Sequence, residues 1–306
     1  MSDERPDERL TPLLLCFDGR APFAASLAQQ SGFDVAPVSL HRFPDGESLV
    51  RLDARVAGRD CIVFCTLKEP DSILFPLLSA AYTARELGAR SVGLLAPYLA
   101  YMRQDKRFHV GEAVSSRPFA HLIATHFDWL VTVDPHLHRY PRLDSIYRLP
   151  NTVVSAVPLM AEWVRRNVDK PLLVGPDAES LQWVGAVAEL AGAPFIVLEK
   201  QRHGDADVDI AVPDIERWRE RTPVLVDDIL STGQTLSQTV RGLRAQGLAP
   251  PLCLAVHAVF AGEAERRLAD AGAARLVTAN TIPHPTNAVD LTAPVAHALR
   301  AHLKKA

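Results

Sequence analysis

VLVDDILSTGQT, residues Val224–Thr235, is the stretch on which the fold turns. An apolar strand ends in two adjacent carboxylates, Asp227 and Asp228. A short Ser231-Thr232-Gly233 loop follows, and then a helix opening with Gln234 and Thr235. Open α/β sheets bind ligands outside the carboxyl ends of their strands. The backbone N–H groups of such a loop, backed by a helix N-terminus, suit a phosphate. The hydroxyls of Ser231, Thr232 and Thr235 add donors. Two carboxylates suit a sugar diol, because they accept hydrogen bonds from both hydroxyls. Together these groups describe a 5-phosphoribosyl site. The bland alternative is an N-capped helix after a strand, with two solvated aspartates.

The same arrangement recurs outward from this stretch. LLLCF (13–17), CIVFC (61–65), SVGLLA (91–96) and WLVTV (129–133) are continuous apolar runs. PLLVG (171–175), PFIVL (194–198), PVLVD (223–227) and LCLAVHAV (252–259) repeat the pattern. Unbroken rather than alternating hydrophobicity marks strands buried on both faces. Helical spacing fills the gaps. In residues 71–88, Ile73, Leu74, Leu77, Leu78 and Ala81 share a face and Gly88 closes the segment. Residues 178–191 place Leu181, Val184, Val187 and Leu190 likewise and end at Gly192, and residues 234–246 end at Gly247. This alternation predicts an α/β fold with mostly parallel sheets flanked by helices. Two arrays are expected, 1–150 and 151–306, parted at Pro150–Asn151. The last helix, about 290–306, closes the second array with room to pack back on the N-terminal domain.

Composition narrows the function classes. The 306 residues are 48% hydrophobic and 23% charged, an ordinary globular balance with chain enough for two cores. A net charge of -3 argues against a nucleic-acid partner or an anionic membrane surface. No apolar run approaches the roughly 20 residues of a membrane span. Met1–Arg9 lacks the apolar core of a secretion signal. Cys16, Cys61, Cys65 and Cys253 show neither zinc nor redox spacing, so buried, reduced thiols and a cytoplasmic location are expected. There is no GxxxxGK[ST] and no GxGxxG, which disfavours Walker-type and dinucleotide-type folds.

Further segments at strand ends carry chemistry. Ala96–Phe108 offers Arg103, Lys106 and Arg107, which suit polyphosphate, beside Gln104 and Asp105, which can read a base or ribose. A solvated charged loop reads the same residues. Arg42–Ser48 is a Pro/Gly turn with Phe43 beside Asp45 and Glu47, able to stack on a nucleobase and accept from its amino group, or merely structural. Val133–Arg139 sets His136 and His138 after a strand, suiting a phosphate-bound magnesium or a plain surface pair; zinc lacks a ligand set. In Gly175–Ser180, Asp177 suits magnesium, a ribose hydroxyl or a helix N-cap. In Leu198–Gly204, Lys200 and Arg202 stand two residues apart, so an extended chain points both one way, over a transferring phosphoryl group or into solvent.

These segments, in this order from about residue 13 to about 300, resemble the ribose-phosphate pyrophosphokinases, also called phosphoribosyl pyrophosphate synthetases. The loop VDDILSTGQT looks like the phosphoribosyl-pyrophosphate loop of type I phosphoribosyltransferases. APYLAYMRQDKRF, then Gly111-Glu112-Ala113-Val114-Ser115, and the Asp134-Pro135-His136 run resemble the archaeal-type branch. The resemblance implies two phosphoribosyltransferase type I-like domains with the active site between them. It implies transfer of the β,γ-diphosphoryl group of ATP to ribose 5-phosphate, with Mg2+ as cofactor. Phe43, Asp45 and Glu47 would contact adenine, lent by a neighbouring subunit of a homo-oligomer, dimer or larger. Arg103 and Gln104 would hold the nucleotide, and His136 and Asp177 would serve magnesium. Lys200 and Arg202 would be the catalytic pair. Asp227, Asp228, Ser231, Thr232, Gly233, Gln234 and Thr235 would bind ribose 5-phosphate.

Two other readings share these features. A non-catalytic homologue that binds nucleotide and regulates a true synthetase would have no need of Lys200, Arg202, His136 and Asp177, all of which are present. A phosphoribosyltransferase would have no use for Arg103–Gln104 or the Phe43 turn. The chain departs from the family's common pattern at Ser231, where the more widespread branch has aspartate, and at Gln234, where a second glycine is usual. A β-carbon at 234 is expected to crowd the phosphate loop or to require a φ that glycine accepts most easily.

Overall fold

The computed structural model describes residues 10–17, 22–203, 207–211 and 215–304, with backbone alone for 199–203 and 207–211. The Met1–Arg9 segment lies outside the described residues. The chain divides into two compact units. The first runs to Val154 and resumes at Thr292, and the second is Ser155–Leu291.

The first unit is built on β1 (Leu13–Cys16), α1 (Pro22–Ser31), β2 (Asp34–Arg42), β3 (Ser48–Leu52), β4 (Asp60–Phe64), α2 (Pro70–Glu86), β5 (Ser91–Ala96), α3 (Ser116–His126), β6 (Trp129–Val133) and β7 (Asn151–Val154). Its seven-stranded sheet has the order β3-β2-β1-β4-β5-β6-β7. All pairs are parallel except β2–β3. Every residue of β1, β4 and β6 is buried, as their unbroken apolar runs require. Leu13, Leu15, Val63, Leu94, Phe119, Ile123 and Tyr147 lie in one core. Each fully buried Leu or Ile contributes about 1.5–3 kcal/mol. The buried Asp60 carboxylate accepts from Arg90 Nε at 2.9 Å and Ser91 Oγ at 2.7 Å, so it is not left unsatisfied. The β2–β3 hairpin is alternating rather than continuously apolar and does not stand out as a buried run.

The second unit comprises α4 (Val157–Asn167), β8 (Pro171–Gly175), α5 (Leu181–Ala191), β9 (Phe195–Val197), β10 (Glu199–His203), β11 (Asp207–Ala211), α6 (Ile215–Trp218), β12 (Thr222–Leu230), α7 (Gln234–Ala245), β13 (Leu252–Ala258), α8 (Ala264–Asp270), β14 (Arg275–Ala279) and β15 (Asn287–Val289). A six-stranded parallel sheet has the order β15-β14-β13-β12-β8-β9, and β10 and β11 form a separate antiparallel pair. Some expected boundaries move. The strand expected at 223–227 continues to Leu230, so both aspartates lie inside it. The strand expected at 194–198 shrinks to Phe195–Val197. The helix expected from 178 starts with a 3-10 turn, Ala178–Ser180, before α5. The four cysteines are buried, and none forms a disulfide. No helix among the described residues is long and apolar enough to cross a membrane.

The closing helix α9 (Thr292–Leu303) belongs to the first unit. Arg300 Nη1 donates to the Gln30 carbonyl of α1 at 2.5 Å, and the His302 ring lies 4.6 Å from that of Trp129. Trp129 is paired in register with Gly93 of β5, and a β-carbon on Gly93 would stand 2.0 Å from the indole. Only glycine lets the indole lie flat on the sheet under α9. Gly93→Ala therefore forces overpacking against a rigid ring, at a cost of about 3 kcal/mol. A urea titration should show an earlier midpoint for this variant.

Candidate active site

The turn Ser231–Gly233 leaves the buried end of β12 and enters α7. Gly233 precedes the helix with φ +69, the left-handed conformation that glycine takes at least cost. A β-carbon there would also meet the Ala264 carbonyl and a Leu268 methine, each at 3.3 Å. Three successive carbonyls of this turn are occupied from one side. Phe260 N donates to Leu230 O at 2.8 Å, Ala261 N to Ser231 O at 3.3 Å, and Arg267 Nη1 to Thr232 O. The Gly233 carbonyl accepts from Ser237 N at 2.8 Å. By contrast, the backbone N–H groups of Thr232, Gly233, Gln234 and Thr235 have no acceptor among the described residues. Donors without partners at a helix N-terminus form an anion cradle. The side chains of Thr232, Gln234 and Thr235 are exposed around it. Gln234 does not take a positive φ, so the backbone half of the expected conflict falls away: Gly233 absorbs the left-handed step and Gln234 is an ordinary first helical residue.

Just before the turn, Asp227 is half-buried and Asp228 buried. Asp228 N donates to Asp227 Oδ1 at 2.9 Å. Burial, then the neighbouring Asp228 and the more distant Asp177 charge, hold the Asp227 carboxyl well above the usual carboxylate range. Asp177 follows β8, which pairs directly with β12, and its side chain makes no cap hydrogen bond to the turn after it. Its carboxylate is therefore not used for capping. Three crowded carboxylates at one sheet edge suit a hard cation and hydroxyl donors, because either relieves their mutual repulsion.

In the first unit, the loops after β5 and β6 are joined by one ion pair. Arg139 Nη1 donates to Asp105 Oδ1 at 2.9 Å and Oδ2 at 3.0 Å, and the Asp105 side chain is only 1% exposed. This corrects the expectation that Asp105 reads a base or ribose: it is a buried structural clip. Lys106 lies over the Phe108 ring and Arg107 donates to the Glu112 carbonyl at 2.8 Å. Arg103 alone among the loop's three cations is exposed and without a partner among the described residues, and Gln104 beside it is exposed too. Gln104 is set by its bond from N to Tyr101 O at 2.9 Å. Tyr101 itself takes φ +61, and its hydroxyl donates to Asp71, which pushes its pKa up to about 12. The rings of His136 and His138 lie 3.9 Å apart.

The Phe43 turn joins β2 to β3. It is closed by Phe43 N to Glu47 O at 2.8 Å and Glu47 N to Asp45 Oδ1 at 3.0 Å. Phe43 is 41% exposed, edge-on to His41 at 4.7 Å. Lys200 and Arg202 stand on β10, opposite Ile210 and Val208 of β11, so they belong to a hairpin rather than a single-stranded loop. Their side chains, and Gly204, lie outside the described residues. Sequence reasoning missed Arg139, Tyr101 and Arg267. Arg139 is the last residue of a recognised segment, whereas Arg267 has no local signal.

The family model for the N-terminal domain of ribose phosphate pyrophosphokinase matches residues 13–126, and that for the phosphoribosyl transferase domain matches residues 143–294. The chain is similar to a ribose-phosphate pyrophosphokinase of Methanopyrus kandleri, 33% identical over 275 residues, covering 89% of this chain and 93% of the relative. It is similar to another of that name from Methanobrevibacter smithii, 31% identical over 289 residues, covering 90% and 96%. Among solved structures, its fold matches phosphoribosylpyrophosphate synthetase from Mycobacterium smegmatis with a TM-score of 0.84 at 24% identity, over 97% of this chain and 100% of that one. Both units are therefore phosphoribosyltransferase-type α/β domains.

The cradle predicts opposite outcomes at neighbouring positions. Gly233→Ala should weaken binding of inorganic phosphate about tenfold, the equivalent of the left-handed penalty. Gln234→Gly should leave it within about threefold, since no strain is relieved. Isothermal titration of the full chain reads both. Arg139→Gln, which strands the buried Asp105 charge, should cost about 3 kcal/mol in urea unfolding.

Proposed function

The chain belongs to the ribose-phosphate pyrophosphokinase family, and we propose that it transfers the β,γ-diphosphoryl group of ATP to the 1-hydroxyl of ribose 5-phosphate, yielding phosphoribosyl pyrophosphate and AMP. The observation that carries this reading is the cradle of four N–H groups from Thr232 to Thr235, directly beyond the Asp227–Asp228 pair. The cradle holds the 5-phosphate, together with the hydroxyls of Ser231, Thr232 and Thr235. Asp227 and Asp228 accept from the ribose hydroxyls, a role that suits acids crowded by burial and by each other. Arg103 and Gln104 hold the nucleotide, and Arg103 has a charge to spend because no carboxylate in its own loop takes it. Phe43, exposed at the end of a hairpin, stacks on adenine of a neighbouring copy, with Asp45 and Glu47 accepting from the exocyclic amine. This requires a homo-oligomer, a dimer or larger.

Phosphoryl transfer rests on positioning and charge stabilisation rather than on a covalent protein intermediate. Lys200 and Arg202 stabilise charge on the transferred group and on the AMP leaving oxygen. The family's metal is taken to be magnesium, which when bound draws charge from phosphate oxygens. Asp177 is suited to serve it, as one of three crowded carboxylates, with His136 as the second residue. The buried thiols fit a reducing, cytoplasmic setting.

Purified protein incubated with ATP, ribose 5-phosphate and magnesium should release AMP and phosphoribosyl pyrophosphate in equal amounts. Lys200→Glu should abolish this turnover and leave the fold, read by circular dichroism, unchanged. Silence from a wild-type protein that still binds ATP would favour a regulatory homologue or another sugar phosphate. Normal turnover by Lys200→Glu would remove that residue from the mechanism.

A further inference from the structure

We infer that Arg267 is a positioning residue for the sugar phosphate, acting through the backbone of the loop it clamps; this rests on the reading of that loop as the ribose 5-phosphate site. Arg267 lies on α8, 35 residues beyond Thr232, and its Nη1 donates to the Thr232 carbonyl. A trans peptide points its carbonyl and its following N–H in opposite directions. Holding Thr232 O toward α8 therefore aims Gly233 N–H at the mouth of the cradle. The Phe260 and Ala261 amides do the same for the two preceding carbonyls. Those two clamps are backbone groups, available to any sequence. Arg267 supplies the third, at the peptide where Gly233 changes to φ +69 and the chain direction reverses.

The side chain adds charge as well as geometry. Arg266 pairs with Glu263 and Asp270, but Arg267 has no carboxylate partner among the described residues. Its positive charge therefore stands unneutralised behind the loop, one peptide away from the anion. It also polarises the Thr232–Gly233 peptide, making Gly233 N–H a stronger donor. Acting through the Thr232–Gly233 peptide, Arg267 touches neither the substrate nor the reacting atoms. Its effect should therefore fall on sugar-phosphate affinity and spare the nucleotide.

Steady-state kinetics of the full chain tests this with Arg267→Ala and Arg267→Lys. Arg267→Ala should raise KM for ribose 5-phosphate about tenfold while kcat and KM for ATP stay within about twofold. Arg267→Lys should recover part of the loss, because the ammonium keeps charge and a donor but not the fork. An unchanged KM for ribose 5-phosphate in Arg267→Ala would overturn the inference. So would parallel rises in both KM values, which mark general loosening. Calorimetric titration with inorganic phosphate separates this inference from the functional reading. If the wild type binds phosphate but does not turn over, weaker binding by Arg267→Ala still supports the clamp while the proposed reaction fails. If the wild type binds neither phosphate nor ribose 5-phosphate, the clamp and the functional reading both fall.

Discussion

A trans peptide cannot aim its carbonyl and its amide hydrogen to the same side, and the Leu230–Gln234 turn is built on that constraint. Its carbonyls are taken up by Phe260, Ala261 and Arg267, and the amides of Thr232 to Thr235 have no acceptor among the described residues. Donors without partners at a helix N-terminus cost little where water solvates them and gain when an anion replaces it. The rest of the second unit can be understood as support for this turn. The β12–β13 pairing fixes the strand ends, α8 packs under Gly233, and the buried apolar face of α7 holds the helix that follows.

Parallel sheets explain why the chemistry gathers where it does. Apart from β3 in the first unit and the β10–β11 pair in the second, the strands of each sheet run parallel, so their carboxyl ends share an edge and the loops leaving them are neighbours. On the second sheet this brings the Asp177 loop beside the Asp227–Asp228 pair, crowding three carboxylates. On the first sheet it sets the loops after β5 and β6 side by side, and the Asp105–Arg139 pair locks them. Asp105 is buried but Arg139 stays exposed, and an ion pair with one buried member adds little net stability over an apolar contact. Its value is registration: Arg103 and Gln104 sit within two residues of one partner and His136 and His138 within three of the other.

The contrast between Asp105 and Asp227 shows what could be read from sequence. Asp227, Asp228 and the turn to Thr235 are contiguous, and their strand–loop–helix order already contains the geometry. Continuous apolar runs likewise located β1, β4, β5, β6 and β8, because burial on both faces leaves a one-dimensional signature. Asp105 sits among residues that look equally available to a ligand. Only its partner 34 positions away removes it from that group, and a partner at that distance has no local pattern. Arg267, 35 positions from Thr232, escapes notice for the same reason. The β2–β3 hairpin hid differently: its faces alternate between buried and exposed, so no long apolar run marks it.

Gln234 shows how a departure from a family's pattern is resolved by backbone geometry. Two adjacent glycines in a phosphate loop invite the view that both are needed for conformation. Here the single left-handed residue is Gly233, and the chain is already helical at 234. The second position is therefore limited by space rather than by φ, and Gln234 is exposed. A side chain there can remain without strain and adds a carboxamide, donor and acceptor, beside the anion cradle. The pressure for glycine falls on one residue, set by the reversal of the chain and by the closeness of α8, and the position after it is left to tune how the cradle meets its ligand.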